Sequence, residues 1–396
     1  MRKNISKIIQ QIQKICIEKE QIGLLEITEK FDKVKLKTFI YKIPKKIEIA
    51  NDLKNAIETA KNNIYKFHKN EHDNILAWCH DKIETSKGIE CWKNFTPIET
   101  VGIYVPNKLF SSVLMNIIPA QIAGCKNIVV CTPPNPSNEI LWTLQLLGIE
   151  KIYTIGGAQA IFAISYGIGE IPKVDKIFGP GNEFVDAAKR MVSNEVAIDM
   201  PAGPSEVLVI SDGINYQSII NDLLAQLEHG RKSKAWLYCT NKEVIDFIKE
   251  DIRGIAASSF RWDILQHSIN NLTCYHVATI TQAIEKSNKI APEHLILNVL
   301  NAEKYLNKIT NAGSVFIGRN TPESLGDYLS GTNHVLPTSG FARAFSGLSV
   351  LSFGKFITFQ KATEKGLKFV ANKVKVMAES EGLEFHAKSV KRNNKN

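Results

Sequence analysis

The sequence predicts an α/β fold of two parallel-sheet units with helical extensions at both ends. Three observations carry the prediction. From Val101 onward, short apolar runs rich in β-branched residues alternate with stretches of helical periodicity, the pattern of parallel strands joined by crossover helices. At 396 residues the chain exceeds the length over which a single core keeps growing. A 44% hydrophobic share beside 22% charged residues is that of an ordinary globular chain.

In order along the chain, Ile5, Ile8, Ile9, Ile12, Ile15 and Cys16 recur at helical spacing and predict an amphipathic helix over 4–20. Residues 51–80 read as a second, polar-faced helix with His68, His72 and His80 on its surface. His68 and His72 stand four apart, as two ligands of one ion would, but no third ligand accompanies them. Strands are then expected at 101–105, 127–131, 151–155, 176–178 and 206–210. Helices fall between them at 111–124 and 141–147, after Gly156-Gly157-Ala158-Gln159, and from Gly179-Pro180-Gly181-Asn182 to about Val192. A helix to His229 follows, then strands near 235–238, 276–279, 295–298 and 314–317. A helix over 361–380 and a basic tail close the chain. In such folds ligands bind beyond the carboxyl ends of the strands.

Charge and cysteine usage narrow the partners. The net charge is +9, but the lysines are scattered, and the one dense run is Lys388-Ser389-Val390-Lys391-Arg392. That distribution is a solvated surface and not a nucleic-acid footprint. Seven cysteines without module spacing argue against a disulfide framework. Cys125 and Cys131, beside the apolar run Ile128-Val129-Val130, read as small core residues. Lys7, Gln10, Gln11 and Lys14 interrupt any signal-peptide core, and no apolar run reaches the ~18 residues of a membrane span. A cytoplasmic protein is expected.

Four polar clusters carry candidate chemistry. The loop Gly326-Asp327-Tyr328-Leu329-Ser330-Gly331-Thr332-Asn333-His334 holds a carboxylate and an imidazole on a glycine-punctuated segment. Gln226 and His229 are three apart at a helix end, so one face presents both to a single ion. Glu293-His294 follow Pro292 at the head of an apolar run, where they pair a water-activating base with a proton shuttle. Glu381 and His386 lie in the tail segment after the last helix. Taken singly, each is equally a solvated loop pair, a helix cap or an exposed tail. The turns at Gly156-Gly157 and Gly179-Pro180-Gly181 precede helices, whose free amides favour anions, but neither matches a nucleotide fingerprint.

Together these motifs resemble the histidinol dehydrogenase family. The resemblance rests on Asp199-Met200-Pro201-Ala202-Gly203-Pro204-Ser205-Glu206-Val207, Gln226-Leu227-Glu228-His229-Gly230, Pro292-Glu293-His294-Leu295 and Gly326 to Pro337 in their order. Gly156-Gly157-Ala158-Gln159 and Phe178-Gly179-Pro180-Gly181-Asn182 match as well. It implies two Rossmann-like parallel-sheet units, one at 101–205 and a discontinuous one at 25–100 with 206–360. A helix over 1–24 would precede them, and residues 361–396 would reach a partner subunit.

The resemblance further implies a homodimer that oxidises L-histidinol to L-histidine in two NAD-dependent steps, with one zinc per subunit. Gln226, His229, Asp327 and His386 would be the zinc ligands, and Glu293 and His294 the acid/base residues. Ser205, His334 and Glu381 would join the ligands and His294 in binding substrate. Tyr104, Gln159 and Asn182 would contact NAD, and Glu381 and His386 would act in the partner's site. The chain departs from the family pattern in a short amino-terminal region and after Pro106. There Asn107-Lys108-Leu109-Phe110 stands where a glycine pair and a few small residues are usual, about three residues fewer. That departure bears on cofactor handling. The competing readings are a zinc hydrolase using Glu293 and a non-catalytic binding homologue.

Overall fold

The computed structural model describes residues 2–79, 81–200 and 203–391. His80, Pro201, Ala202 and Arg392 of the basic tail therefore lie outside the described residues. The chain begins with α1 (Arg2–Asp32), β1 (Ile40–Lys42) and α2 (Asn51–Cys79), followed by β2 (Ile83–Ser86) and β3 (Ile89–Pro97). The first alternating run is β4 (Thr100–Tyr104), α3 (Phe110–Ala123), β5 (Asn127–Thr132), α4 (Asn138–Leu146) and β6 (Lys151–Thr154). It continues with α5 (Gly157–Tyr166), β7 (Lys176–Phe178), α6 (Glu183–Val192) and β8 (Ala197–Ile198). The second run is β9 (Glu206–Ser211), α7 (Tyr216–Leu227), β10 (Lys234–Cys239), α8 (Lys242–Ala257) and α9 (Trp262–Ser268). It ends with β11 (Leu272–His276), α10 (Ile280–Ile290), β12 (His294–Asn298), β13 (Ser314–Ile317) and α11 (Glu323–Tyr328). Last come β14 (Gly354–Ala362), α12 (Glu364–Ser380) and α13 (Glu384–Ser389).

Packing divides the chain into a larger unit, residues 1–69 with 98–353, and a smaller one, residues 70–97 with the chain from 354. The larger unit holds two sheets. The first has the order β1-β6-β5-β4-β7-β8, parallel except for β1, which pairs antiparallel with β6. The second, β11-β10-β9-β12-β13, is wholly parallel. Every residue of β9 and of β12 is buried, as covered parallel strands require, which is why their inner stretches Val207 to Ile210 and Leu295 to Leu297 read as unbroken apolar runs. The smaller unit holds the antiparallel ladder β14-β3-β2. Trp92 stacks on Phe359 across it with ring centroids 5.5 Å apart.

Most expected elements stand where the periodicity put them, with instructive exceptions. The first helix runs to Asp32, well past residue 20, with a non-helical Glu20 (φ 47°) marking a kink. Its Ile9, Ile12 and Cys16 are buried with Phe162 and Val185 of α5 and α6 in one core cluster. The strand expected at 276–279 is instead Leu272–His276, because Thr279 caps α10 by accepting the Gln282 N–H. Lys361 belongs to β14, and the last long helix begins only at Glu364, capped by Thr363. Residues 40–42 join the edge of the first sheet, although the sequence grouped 25–100 with the second. His68, expected on the surface, is 1% exposed and lies edge-on to Phe67, while His72 is partly buried. Cys131 is a buried core residue as expected, and Cys125 is half-buried.

One buried ion pair fixes the turn after β7. Lys189 Nζ donates to Asp199 and to the Gly179 carbonyl, while the Asp199 carboxylate accepts the N–H groups of Gly179 and Met200. Both side chains are at most 4% exposed. Asp199→Ala leaves the lysine charge buried and unpaired, so it is expected to cost about 3–5 kcal/mol in urea unfolding. A loss below about 1 kcal/mol would show that the pair is not what holds the turn.

Candidate active site

In the first sheet the chain runs from β4 outward through β5 to β6 and then crosses back to β7 on the other side of β4. That reversal makes the carboxyl ends of β4 and β7 a topological switch point, the usual ligand position in such sheets. Tyr104 ends β4, and its hydroxyl accepts the Gly157 N–H at 3.2 Å from the turn after β6. Gln159, 3% exposed, lies two residues on, with Nε2 3.4 Å from the Asp32 carboxylate. Asn182 caps α6, its Oδ1 accepting from Phe184 and Val185. Gly179 (φ 111°) packs so closely that a Cβ there would lie 2.0 Å from the Tyr104 carbonyl, so no other residue fits this turn. Tyr104 and Gln159 thus meet around Gly157, and Asn182 stands on the next turn.

The second sheet reverses this logic. Its polar cluster sits at the amino ends of the strands, because α7 runs antiparallel to β9 and carries its last turn back to that edge. There β12 begins beside β9, with His294 opposite Val207. Ser205, partly exposed, immediately precedes β9. Gln226 is fully buried in the last turn of α7, and His229 follows the helix end with a half-exposed side chain. Asp327 comes from α11 with Oδ2 4.0 Å from His229 Nε2. Glu323, one helical turn earlier, faces the same way. Ligand atoms of His229, Glu323 and Asp327 lie within 4.8 Å of one another.

Hydrogen bonding sets the state of His294. Its Nδ1 faces the Glu206 carbonyl at 3.1 Å and Gln226 Oε1 at 3.0 Å. A carbonyl can only accept, so the proton sits on Nδ1 and Nε2 carries the lone pair. Burial pushes the His294 pKa down to about 3, and the ring is neutral at neutral pH. Glu293, 6% exposed, accepts the Glu206 N–H through Oε2 at 2.8 Å. Burial, and then the charges of Glu206 and Asp327, hold its carboxyl well above the usual range. Burial also raises Asp327 to about 6. The His334 ring donates from Nδ1 to the Asp327 carbonyl at 3.0 Å, and its surroundings push its pKa down to about 4.

Several buried polar atoms here have no hydrogen-bond partner within the chain: Gln226 Nε2, His294 Nε2 and both carboxylate oxygens of Glu323. Orphaned groups of this kind are uncommon in a folded interior, and several in one cluster leave bonding capacity for an ion, a water or a ligand. The donor set of imidazole, carboxylate and amide matches what zinc takes. Six predicted residues therefore converge: Gln226, His229, Glu293, His294, Asp327 and His334. Glu381, at the carboxyl end of α12, and His386, on α13, belong to the smaller unit and are exposed. Glu323 was not anticipated. Its one signal was the four-residue spacing to Asp327, which mattered only once residues 323–328 were known to be helical.

Comparison with known proteins gives a consistent picture. A family model described as histidinol dehydrogenase matches residues 1–393. A histidinol dehydrogenase of Haemophilus influenzae (strain 86-028NP) is 44% identical, covering 98% of this chain and 92% of that protein. One of Schizosaccharomyces pombe is 42% identical, over 98% of this chain and 91% of its own length. Among solved structures, histidinol dehydrogenase from Elizabethkingia anophelis superposes with a TM-score of 0.89 at 42% identity, covering 97% of this chain and 90% of that one.

Proposed function

The chain belongs to the histidinol dehydrogenase family, an oxidoreductase family of histidine biosynthesis, and from that premise we propose how its residues divide the work. It oxidises L-histidinol to L-histidine in two NAD-dependent steps at a zinc site, with L-histidinal held between them. The observation that carries this reading is the cluster at the amino edge of the second sheet. There a neutral His294 with an unpartnered Nε2 stands beside Glu293 and a set of zinc-type donors.

Gln226, His229 and Asp327, with His386, would hold the metal. When bound, zinc fixes the nitrogen groups of the substrate and the nicotinamide takes the hydrides. His294 Nε2 takes the hydroxyl proton of the alcohol in the first oxidation. Glu293, whose raised pKa makes it a stronger base than a solvated carboxylate, takes a proton from the water that adds to the aldehyde. The resulting hydrate loses the second hydride and proton. Water thereby supplies the second carboxylate oxygen. Ser205, His334 and Glu381 hold the substrate, and Tyr104, Gln159 and Asn182 hold NAD.

The active assembly is a homodimer, with Glu381 and His386 serving the partner's site. Support comes from the apolar surface of the smaller unit, where Val376 is 57%, Met377 65% and Phe385 77% exposed on α12 and α13. Such exposed apolar side chains on two consecutive helices call for cover. No helix among the described residues is long and apolar enough to cross a membrane. The free cysteines suit a reducing cytoplasm.

The test is NADH formation from L-histidinol before and after removal of metal by a chelator. We expect NADH formation to vanish on chelation and return with added zinc. Turnover unaffected by chelation, or hydrolysis without NADH, would overturn the reading in favour of a different chemistry.

The short segment after Pro106 tunes the cofactor side. Lys108 occupies the left-handed region at φ 70° in the turn that leads into α3, a conformation glycine adopts without strain. With fewer backbone amides free to approach a phosphate, one or two hydrogen bonds go unmade. Inserting Gly-Gly and one small residue after Pro106 is expected to lower KM for NAD about 5–30-fold and to leave KM for histidinol unchanged. An unchanged or higher KM for NAD would show that this loop does not limit cofactor binding.

A further inference from the structure

Resting on the zinc-site reading above, we infer that Glu323 is a second carboxylate of the metal site, facing the ion beside Asp327. Its side chain is 1% exposed, yet neither oxygen has a hydrogen-bond partner within the chain. A carboxylate so placed needs a cation or donors. Among the described residues no lysine or arginine pairs with it. The basic side chain facing it is His294, with Nδ1 3.6 Å from Oε1. The Nδ1 proton is already given to Gln226 and to the Glu206 carbonyl at shorter range. The missing partner therefore lies on the other side, toward His229 and Asp327, whose ligand atoms are within 4.8 Å.

The local sequence explains the placement. Glu323 and Asp327 stand one turn apart on α11, so a single helix face delivers two carboxylates to one point. Gly326 between them packs against Phe316, where a Cβ would lie 2.6 Å from the ring, which lets α11 sit close to the strand beneath it. The remaining donors, Gln226 and the histidines, are neutral. Two carboxylates then offset a divalent charge that Asp327 alone would leave half-balanced. Gln226 Nε2 and His294 Nε2 are the other orphans of this cluster and belong to neutral side chains, so neither discharges the carboxylate through an ion pair.

The test compares the full-length chain with Glu323→Gln, Glu323→Asp and Asp327→Asn. Zinc affinity is read by competition with a chromogenic chelator, and melting temperature is read with and without zinc. Glu323→Gln keeps the size and removes the charge. It is expected to weaken zinc binding about 10–100-fold, comparable to or beyond the loss of a group that only supports a ligand. The metal-free variant should melt above the metal-free parent, because a buried unpaired charge is gone, and zinc should raise its melting temperature less. Glu323→Asp should retain part of the affinity.

Unchanged zinc affinity in Glu323→Gln, alongside a clear loss in Asp327→Asn, overturns the inference and leaves the zinc site standing. A selective loss of histidinol affinity in that variant would instead assign the carboxylate to the substrate's ammonium group. Unchanged zinc affinity in Asp327→Asn as well would bring down the zinc-site reading itself.

Discussion

His229→Ala should give a folded protein that retains almost no zinc and turns over at least about 100-fold more slowly. The side chain is half-exposed at the end of α7, so its removal opens no core cavity and leaves the α7 helix intact. What it removes is one nitrogen donor facing Asp327 and Glu323. Residues that merely orient a ligand cost about 10–100-fold in metal affinity when replaced, so loss of a ligand itself belongs at or beyond the upper end. Metal analysis of the purified variant, together with its rate on histidinol, checks this. Full zinc content at a normal rate would remove His229 from the site.

Glu293→Gln should separate the two oxidations. The glutamine oxygen can still accept the Glu206 N–H, so the buried loop keeps its anchor. Its charge is lost, and with it the repulsion from Glu206 and Asp327 that helps raise its pKa. Stability should therefore hold or rise. The amide cannot take a proton from water, so aldehyde oxidation is expected to slow about 10²–10⁴-fold. Alcohol oxidation, which the proposed mechanism assigns to His294 Nε2, should survive. Rates measured with histidinol and with histidinal as separate substrates give the answer. Equal losses on both would place Glu293 in both steps or in neither.

How much of this was legible in the sequence depends on the range of the interaction. Apolar runs such as Val207 to Ile210 and Leu295 to Leu297 announced the second sheet, because strands covered on both faces need apolar residues at every position. The ladder between β3 and β14 was invisible. It pairs residues more than 250 positions apart, such as Ile89 with Ala362, and its strands mix polar and apolar residues on both faces. The edge strand β1 is three residues long and carries no pattern of its own.

The site was legible as a set of motifs but not as a place. Reading Gln226 and His229 on one helix face was possible from spacing, whereas their arrival at the amino edge of β9 and β12 depends on where α7 ends. Ligands were expected at carboxyl ends; Tyr104 and Asn182 do lie beyond strand carboxyl ends in the first sheet, whereas Glu293 and His294 lie at the amino edge of the second. Glu323 stayed hidden because a lone glutamate between Pro322 and Ser324 reads as a helix start. Only its burial without partners singles it out.

The central claim is that one site carries out both oxidations without releasing the aldehyde. The most direct measurement is the yield of NADH per L-histidine formed from L-histidinol, with the reaction mixture assayed for free L-histidinal. Two NADH per histidine, with no aldehyde accumulating, is the expected result. One NADH per histidinol consumed, with histidinal appearing in solution and no histidine, would contradict it.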